Sequence, residues 1–421
     1  MARVLSEDAG PFRGTDVGWA ERGLISVFST QVVHSRAQRR DQGMNAWEAF
    51  YASIGRRLHV GLLQEVVAHR PSRPRLTPTK VVSVFMAALV YALAIVSFAL
   101  GMWLLVAGWR AFFPACGGLL LLGLAFLAFP RLPKMHGKPI PRSRHPVMYE
   151  LADRVAKALG ATPPEGIIVD WQFNAAFGRV GWRRSPILYL GLPLFLILND
   201  RERIALLAHE LAHDVNGDPT RDFLTSSAIN ALLQWHAAIR PTQIIGHTWY
   251  HTLANGLMLG LSWPIGLIIL LMSHLLWRES QRAEYLADYL SAQVAGTGPV
   301  QTALRKLRFG HLLAPTVARC AVSSPKAEKP DLFDEFRRRV PEEPFWAEPE
   351  TGEAEEDSQN RLDVTHPPLS YRIKFIQSLP EVRPAVAIST SEADQLDREL
   401  SLLKPGIQHR LLELHEASLY Y

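Results

Sequence analysis

His209, Glu210 and His213 stand in the run Leu207-Ala208-His209-Glu210-Leu211-Ala212-His213. On a helix, residues four apart project from one face, one turn apart, so these two imidazoles can grip one metal ion. Glu210 sits one position round the helix. It cannot easily ligate the same ion, but it can reach a water activated beside it. This is the H-E-x-x-H arrangement of zinc proteases, in which the glutamate is the general base. Catalytic zinc usually takes three protein ligands and leaves a fourth position open. The run Arg282-Ala283-Glu284-Tyr285-Leu286-Ala287-Asp288 offers the third. Glu284 would complete a His-His-Glu set holding one Zn2+ per chain. Asp288 shares its helix face and could accept a hydrogen bond from a ligand histidine, fixing the tautomer. Taken alone, Glu284 with Asp288 reads as a solvated salt-bridge face. The apolar Leu206-Leu207-Ala208 before the first histidine, the helix framing and the downstream carboxylates together favour the metal site.

The elements around these residues can be read from punctuation and period. Asn199 caps the motif helix, Glu202 three residues later strengthens that start, and Gly217 stops it after Asn216. Met148 to Leu159 reads as a helix ended by Gly160. Gly166 to Asp170 reads as a strand. Asn174 to Leu190 reads as two strands joined by the turn around Arg183-Arg184-Ser185-Pro186. Either Ile187–Leu190 or the strand beginning near Asn174 offers an edge for extended substrate. Trp47, Phe50, Tyr51, Ile54, Leu58, Leu62 and Val66 recur at helical spacing, so about 45–69 reads as an amphipathic helix, on a membrane surface or packed on the catalytic domain. Residues 1–43 read as poorly ordered, and the acidic, Pro-rich Glu328–Gln359 as a surface excursion or a disordered loop.

The apolar residues are unevenly spread. Val81 to Ala107 has no charged residue and is long enough to span a bilayer, with Trp103 and Trp109 near its end. Ala111 to Phe129 follows, and its Cys116-Gly117-Gly118 and Gly123 suit close helix packing. Leu253 to Trp277 is a further span, kinked at Pro264, and a last helix runs from Trp277 to Ala295. Phe223 to Ile239 is a weaker span candidate. The metal residues must share one side of the membrane, so the chain between His213 and Glu284 crosses twice or not at all. The Pro241–Tyr250 connection lacks Lys and Arg, as a non-cytoplasmic turn would. Basic flanks outside the first pair of spans place the N-terminus and the catalytic part in the cytoplasm. The net charge is only +5, and the basic residues flank apolar blocks, which argues for membrane topology and against nucleic acid. Two cysteines allow no cysteine cluster, and no cleaved signal peptide is evident. Arg201, Glu202, Arg203, Asp214, Asp218, Arg221 and Asp222 crowd the motif helix, which argues against a metal site inside the bilayer.

The sequence resembles the M48 metallopeptidases, which include the HtpX-type membrane proteases and the CAAX prenyl proteases. Asn174-Ala175-Ala176-Phe177 is similar to the family's strand upstream of the zinc helix. His209 to His213 followed by Asn216-Gly217-Asp218, then Glu284 to Asp288, then His366-Pro367-Pro368-Leu369-Ser370-Tyr371-Arg372, follow in the family's order. The resemblance implies a mostly α fold with a small β-sheet, a gluzincin-type α+β metalloprotease domain, plus transmembrane helices. It divides the chain into an N-terminal extension at 1–80, a two-helix membrane hairpin at 81–130, a metallopeptidase domain at 131–377 and a C-terminal helical tail at 378–421. Within the third lie an apolar hairpin at 223–277 and an acidic loop at 325–360. The activity implied is endopeptidase cleavage of membrane or misfolded proteins at a plasma membrane. A second group must steady the oxyanion, and His366, Arg372 and Tyr285 are the alternatives. The competing reading is a catalytically silent membrane scaffold or sensor on the same fold.

Overall fold

The computed structural model describes residues 46–240, 249–322, 331–340 and 366–419, apart from 72, 73, 75 and 109. The expectations for residues 1–43, for Trp109 and for most of the Pro241–Tyr250 connection lie outside the described residues. In chain order the helices are α1 Ala46–Ala68, α2 Pro78–Ala107, α3 Phe112–Leu127 and α4 Pro146–Leu159. Strands β1 Gly166–Asp170, β2 Ala175–Val180 and β3 Ser185–Gly191 come next. Then follow α5 Leu192–Ile197, α6 Asp200–Val215, α7 Asp218–Ile239, α8 Trp249–Ala295, α9 Thr297–Lys306, α10 Leu313–Val322, α11 Leu332–Arg339, α12 Leu369–Gln377, α13 Thr390–Ser401 and α14 Lys404–Leu419. The fold is mostly α with one small sheet, as the sequence indicates.

The motif helix α6 starts as its residue pattern demands. The Asn199 side chain accepts from the Glu202 amide at 3.0 Å, and the Glu202 carboxylate accepts from the Asn199 amide at 2.8 Å. These reciprocal bonds satisfy two of the four amides that a helix start leaves open. At the other end Gly217 adopts φ +71°, the left-handed conformation that favours glycine, and turns the chain directly into α7. Leu207, Ala208 and Leu211 are fully buried in the main core. Each such leucine contributes about 2–3 kcal/mol by leaving water. Glu202 and Arg203 are buried too. Glu202 pairs with Lys306 at 2.6 Å, and Arg203 with Asp397 at 2.8 Å, so neither charge is left uncompensated.

The sheet has the order β1-β3-β2, with β1 parallel and β2 antiparallel to β3. Ile187–Leu190 is therefore not an edge. Its strand β3 is paired on both sides, because its inward and outward faces are both apolar and suit a central position. Among the described strands β1 and β2 are the outer ones, and the outer side of β1 is taken at Ile167, whose carbonyl accepts from the Ile140 amide at 2.8 Å.

A second apolar cluster joins α2, α3, α7 and α8 into a four-helix bundle. Val90, Ala128, Ile229, Leu232, Ile269, Met272 and Trp277 pack together there. Trp235 Nε1 donates to the Leu124 carbonyl at 2.8 Å and Tyr91 Oη to the Leu224 carbonyl at 3.0 Å. Helices α2 and α3 approach so closely that a Cβ on Gly101 would stand 2.9 Å from the Gly118 carbonyl oxygen. Of the expected packing glycines only Gly118 is so used, since Gly123 faces open space. The outward surface of α2, α3 and α8 is apolar, with Leu93, Ile95, Phe98, Phe126, Leu257 and Trp263 exposed. Among the described residues two helices, α2 and α8, are long and apolar enough to cross a membrane. At 16 residues α3 is about 24 Å long, short of the roughly 30 Å hydrocarbon core.

Three further expectations need correction. The span Leu253–Trp277 and the helix Trp277–Ala295 are one helix, α8, of 47 residues, continuous through Pro264. No breaker lies between Gly266 and Gly296, so the span runs straight into the Glu284 segment. The acidic stretch Glu328–Gln359 is not a surface excursion throughout. It contains α11, capped by Asp331 and burying Leu332, Phe333 and Phe336 in the main core. The rest of it lies outside the described residues. Helix α1 packs on the main core through Leu62 and Val66, but Leu58 is exposed and His59 is buried instead. The His59 ring meets Gln281 Nε2 at 3.1 Å, and that polar contact sets the buried face.

The C-terminal helices also join the core. Both carboxylate oxygens of buried Glu399 on α13 accept from the first amides of α4, Val147 at 2.9 Å and Met148 at 3.0 Å. A carboxylate there satisfies open amides and complements the helix dipole. Glu399→Ala is expected to lower stability by about 2–3 kcal/mol, read as a shift of the denaturation midpoint. An unchanged midpoint would deny this cap.

Candidate active site

The site forms where α6 crosses α8. Small residues let the helices approach, and Ser291 Oγ on α8 donates to the Ala205 carbonyl on α6 at 2.7 Å. His209 and His213 leave α6 on one face, with ring centroids 5.1 Å apart and planes at 89°. Opposite them stands Glu284 of α8, only 2% exposed. Nε2 of His209 lies 3.4 Å from Glu284 Oε2, and Nε2 of His213 lies 3.6 Å from Glu284 Oε1. Donor atoms of these three residues all fall within 4.8 Å of one another. Ligands at about 2.0–2.1 Å around a tetrahedral zinc are separated by about 3.3–3.4 Å, close to what is observed. Glu284 Oε2 is buried and is faced by His209 Nε2 at 3.4 Å and the Arg372 guanidinium at 3.0 Å. Two imidazole nitrogens and one carboxylate at these spacings are a donor set that fits zinc.

The outer nitrogens of the two histidines are held as well. His209 Nδ1 lies 3.1 Å from Asp288 Oδ1, and His213 Nδ1 lies 2.9 Å from Asp218 Oδ2. Each carboxylate can accept a hydrogen bond from Nδ1–H, which leaves Nε2 as the nitrogen that faces Glu284. Asp218 is fixed in turn by Asn216 Nδ2 at 2.7 Å and Arg221 at 2.8 Å. The sequence reading assigned Asp218 no such part. It is five residues from His213 and on another helix, so helical period does not pair them. The Gly217 turn is the signal that could have.

Electrostatics follow from this crowding. Burial and the Arg372 charge oppose protonation of His209, but its bonds to Asp288 and Glu284 outweigh them and hold it up at about 10. His213 is raised too: burial opposes, while the Asp218 bond and the Glu284 charge prevail. Without a metal the carboxylates keep protons on the imidazoles.

Glu210 is half-buried on α6, between the two histidines in sequence. Its charge reaches Arg372. Burial works against the Arg372 charge, and Asp288, Glu284 and Glu210 more than compensate, keeping the guanidinium protonated. Arg372, on α12, is itself buried. It grips Asp288 through Nε at 2.8 Å and a terminal nitrogen at 2.6 Å, and lies 3.0 Å from Glu284. One terminal nitrogen of Arg372 also lies 3.3–3.4 Å from the two ring nitrogens of His209. His366, just before α12, is largely exposed, with Nδ1 2.8 Å from Glu284 Oε1. The Tyr285 side chain is fully buried against Phe375, away from solvent. The structure thus brings His366 and Arg372 to the His-His-Glu cluster by different routes and buries Tyr285.

Strand β2 lies beside α6, tied to it by Arg179 on Asp214 at 2.9 Å. Asn174 is exposed, Ala175 and Ala176 are half-buried, and Phe177 is in the core. The Asn174 carbonyl accepts from the Gly191 amide at 2.8 Å. A Cβ on Gly191 would collide with the Gln172 carbonyl oxygen, so this close crossing requires glycine.

Residues 143–379 match peptidase family M48, and they carry every cluster residue described above. This chain belongs to peptidase family M48. The M48 protein is 29% identical over 173 residues to the protease HtpX of Pseudomonas putida strain GB-1, covering 40% of this chain and 58% of that one. It is 25% identical over 311 residues to an HtpX homologue of Pelotomaculum thermopropionicum, covering 66% of this chain and 98% of the relative. A Nitrosomonas europaea HtpX homologue matches at 28% over 240 residues, 55% of this chain and 70% of that one. The M48 chain thus spans less than two thirds of the Pseudomonas relatives it matches. No solved structure matches it.

Proposed function

We propose that this chain is a membrane-anchored zinc endopeptidase that cleaves membrane or misfolded proteins. The observation that carries the reading is the pair of inward-facing Nε2 atoms on one buried carboxylate, each imidazole backed by its own acid. His209, His213 and Glu284 would hold the ion, and Asp288 and Asp218 would orient the imidazoles. Zinc, when bound, lowers the pKa of a coordinated water to about 7 and polarises a carbonyl. Glu210 takes the proton from the attacking water and passes it to the leaving amine. His366, exposed at the open side, supplies the donor for the developing oxyanion. Arg372 holds Glu284 and Asp288 in place. Extended substrate pairs with the free edge of β2, whose segment Asn174–Phe177 runs beside the zinc helix. The bundle lies in the lipid bilayer of a plasma membrane, with α7 and the apolar part of α8 as the double crossing, and the catalytic domain faces the cytoplasm. The test is cleavage of an unfolded membrane protein by the purified chain in the presence and absence of a chelator. Cleavage insensitive to metal removal would reject the zinc reading.

Asp218→Asn is expected to weaken zinc binding about 10–100-fold, because the Nδ1 partner of His213 loses its charge. Competition with a fluorescent zinc chelator reads this, and equal affinity would remove Asp218 from the site.

Zinc binding is also expected to release protons. His209, held at about 10 without metal, carries a proton below that pH, and the ion must displace it. Affinity therefore falls as pH falls, by up to about tenfold per pH unit for each proton displaced. Calorimetry in buffers of different ionisation enthalpy measures the release. A pH-independent affinity would contradict it.

A further inference from the structure

The tip of the β2–β3 hairpin is built for a surface that the described chain does not supply. It consists of Gly181, Trp182, Arg183 and Arg184, closed by the Arg184 amide on the Gly181 carbonyl at 3.2 Å. Trp182 is 78% exposed, although a tryptophan normally buries most of its ring. Arg183 stacks on it at 5.3 Å and is exposed as well.

The position of the tip is fixed from two sides. The Gly181 amide donates to the Pro133 carbonyl at 2.9 Å, tying the tip to the linker that leaves α3. Arg184 lies 4.7 Å over the Phe223 ring, tying it to the first turns of α7. Both anchors stand at the end of the bundle nearest the metal cluster, where the exposed apolar surface of α3 stops at Phe126 and Phe129. The linker continues the pattern. Leu132 and Met135 are exposed, as are Arg131, Lys134 and Lys138. None of Arg131, Lys134, Lys138 and Arg183 has a carboxylate partner among the described residues, and residues 129–139 and 181–186 contain no acid.

We propose that the hairpin tip and the 129–138 linker together dock on anionic phospholipid headgroups, in the leaflet where the bundle emerges. The inference rests on the membrane reading above. Continuity with the apolar bundle surface and the unopposed cations select this occupant. An amphipathic ring settles at headgroup depth, and cations nearby are drawn to a negative surface. Docking fixes how β2 sits relative to the bilayer, since Trp182 and Arg183 close the hairpin that β2 begins. The strand that would receive substrate is then held just above the headgroups. That favours segments of membrane proteins that leave the bilayer there over chains free in solution.

The test uses the full chain in lipid nanodiscs, with Cys116→Ala and Cys320→Ala, and an environment-sensitive fluorophore on Met135→Cys. In discs containing phosphatidylglycerol the emission is expected to shift to the blue and to be quenched by lipids spin-labelled at shallow depth. In purely zwitterionic discs the shift shrinks. Lys134→Glu with Arg183→Glu is expected to abolish the phosphatidylglycerol dependence, and Trp182→Ser to reduce the quenching, with helix content by circular dichroism unchanged. A fluorophore reporting water in both kinds of disc would overturn the docking while leaving the membrane reading intact. An equal shift in both would overturn the selection for anionic lipid. Failure of the chain to enter discs at all would overturn the membrane reading and this inference with it.

Discussion

Glu210→Gln is expected to cut peptide hydrolysis by about 10²–10⁴-fold while zinc stays bound at one ion per chain. The side chain leaves α6 between the two histidines, and among the described residues the atoms that converge on the candidate metal position come from His209, His213 and Glu284. The amide of glutamine keeps the size and loses the basic oxygen, so proton transfer fails and the ion's ligands are untouched. Elemental analysis paired with a turnover assay on an unfolded membrane protein separates the two effects. Activity equal to that of the unaltered chain would reject Glu210 as the base. Loss of zinc would make it a ligand instead.

Glu284→Ala is expected to weaken zinc binding on the order of a thousandfold and to abolish activity as a consequence. Four side chains meet on this carboxylate: the imidazoles of His209 and His213 at 3.4 and 3.6 Å, His366 at 2.8 Å and Arg372 at 3.0 Å. Removing it takes away one of three ligands, and Arg372 keeps Asp288, so the fold should survive. Asp288→Ala is the harsher change for folding, because Arg372 would lose its bidentate partner inside the core. Thermal denaturation alongside metal titration distinguishes lost affinity from lost structure. Unchanged affinity in folded Glu284→Ala protein would mean that another residue completes the site.

The residues that meet at the cluster were legible because each depends on local periodicity. His209 and His213 share a helix face by their spacing, as do Glu284 and Asp288, and the Asn199–Glu202 cap and Gly217 stop frame α6 without help from tertiary structure. What escaped depends on turns and on partners distant in sequence. Asp218 reaches His213 only through the left-handed Gly217 turn. Glu399 caps a helix some 250 residues earlier in the chain. Buried His59 outranks Leu58 on α1 because Gln281 waits opposite, which no apolar count reveals. Ile187–Leu190 read as a possible edge because a short apolar run looks the same in a central strand. Leu332, Phe333 and Phe336 were masked by the acidic composition around them.

X-ray absorption at the zinc edge, on full-length protein purified without chelator, bears most directly on the central assignment. The expected spectrum shows about one zinc per chain, bound by nitrogen and oxygen at about 2.0–2.1 Å with the outer scattering of two imidazoles. That signal should disappear in Glu284→Ala protein that remains folded. A chain that binds no zinc, or holds it unchanged without Glu284, would contradict the assignment.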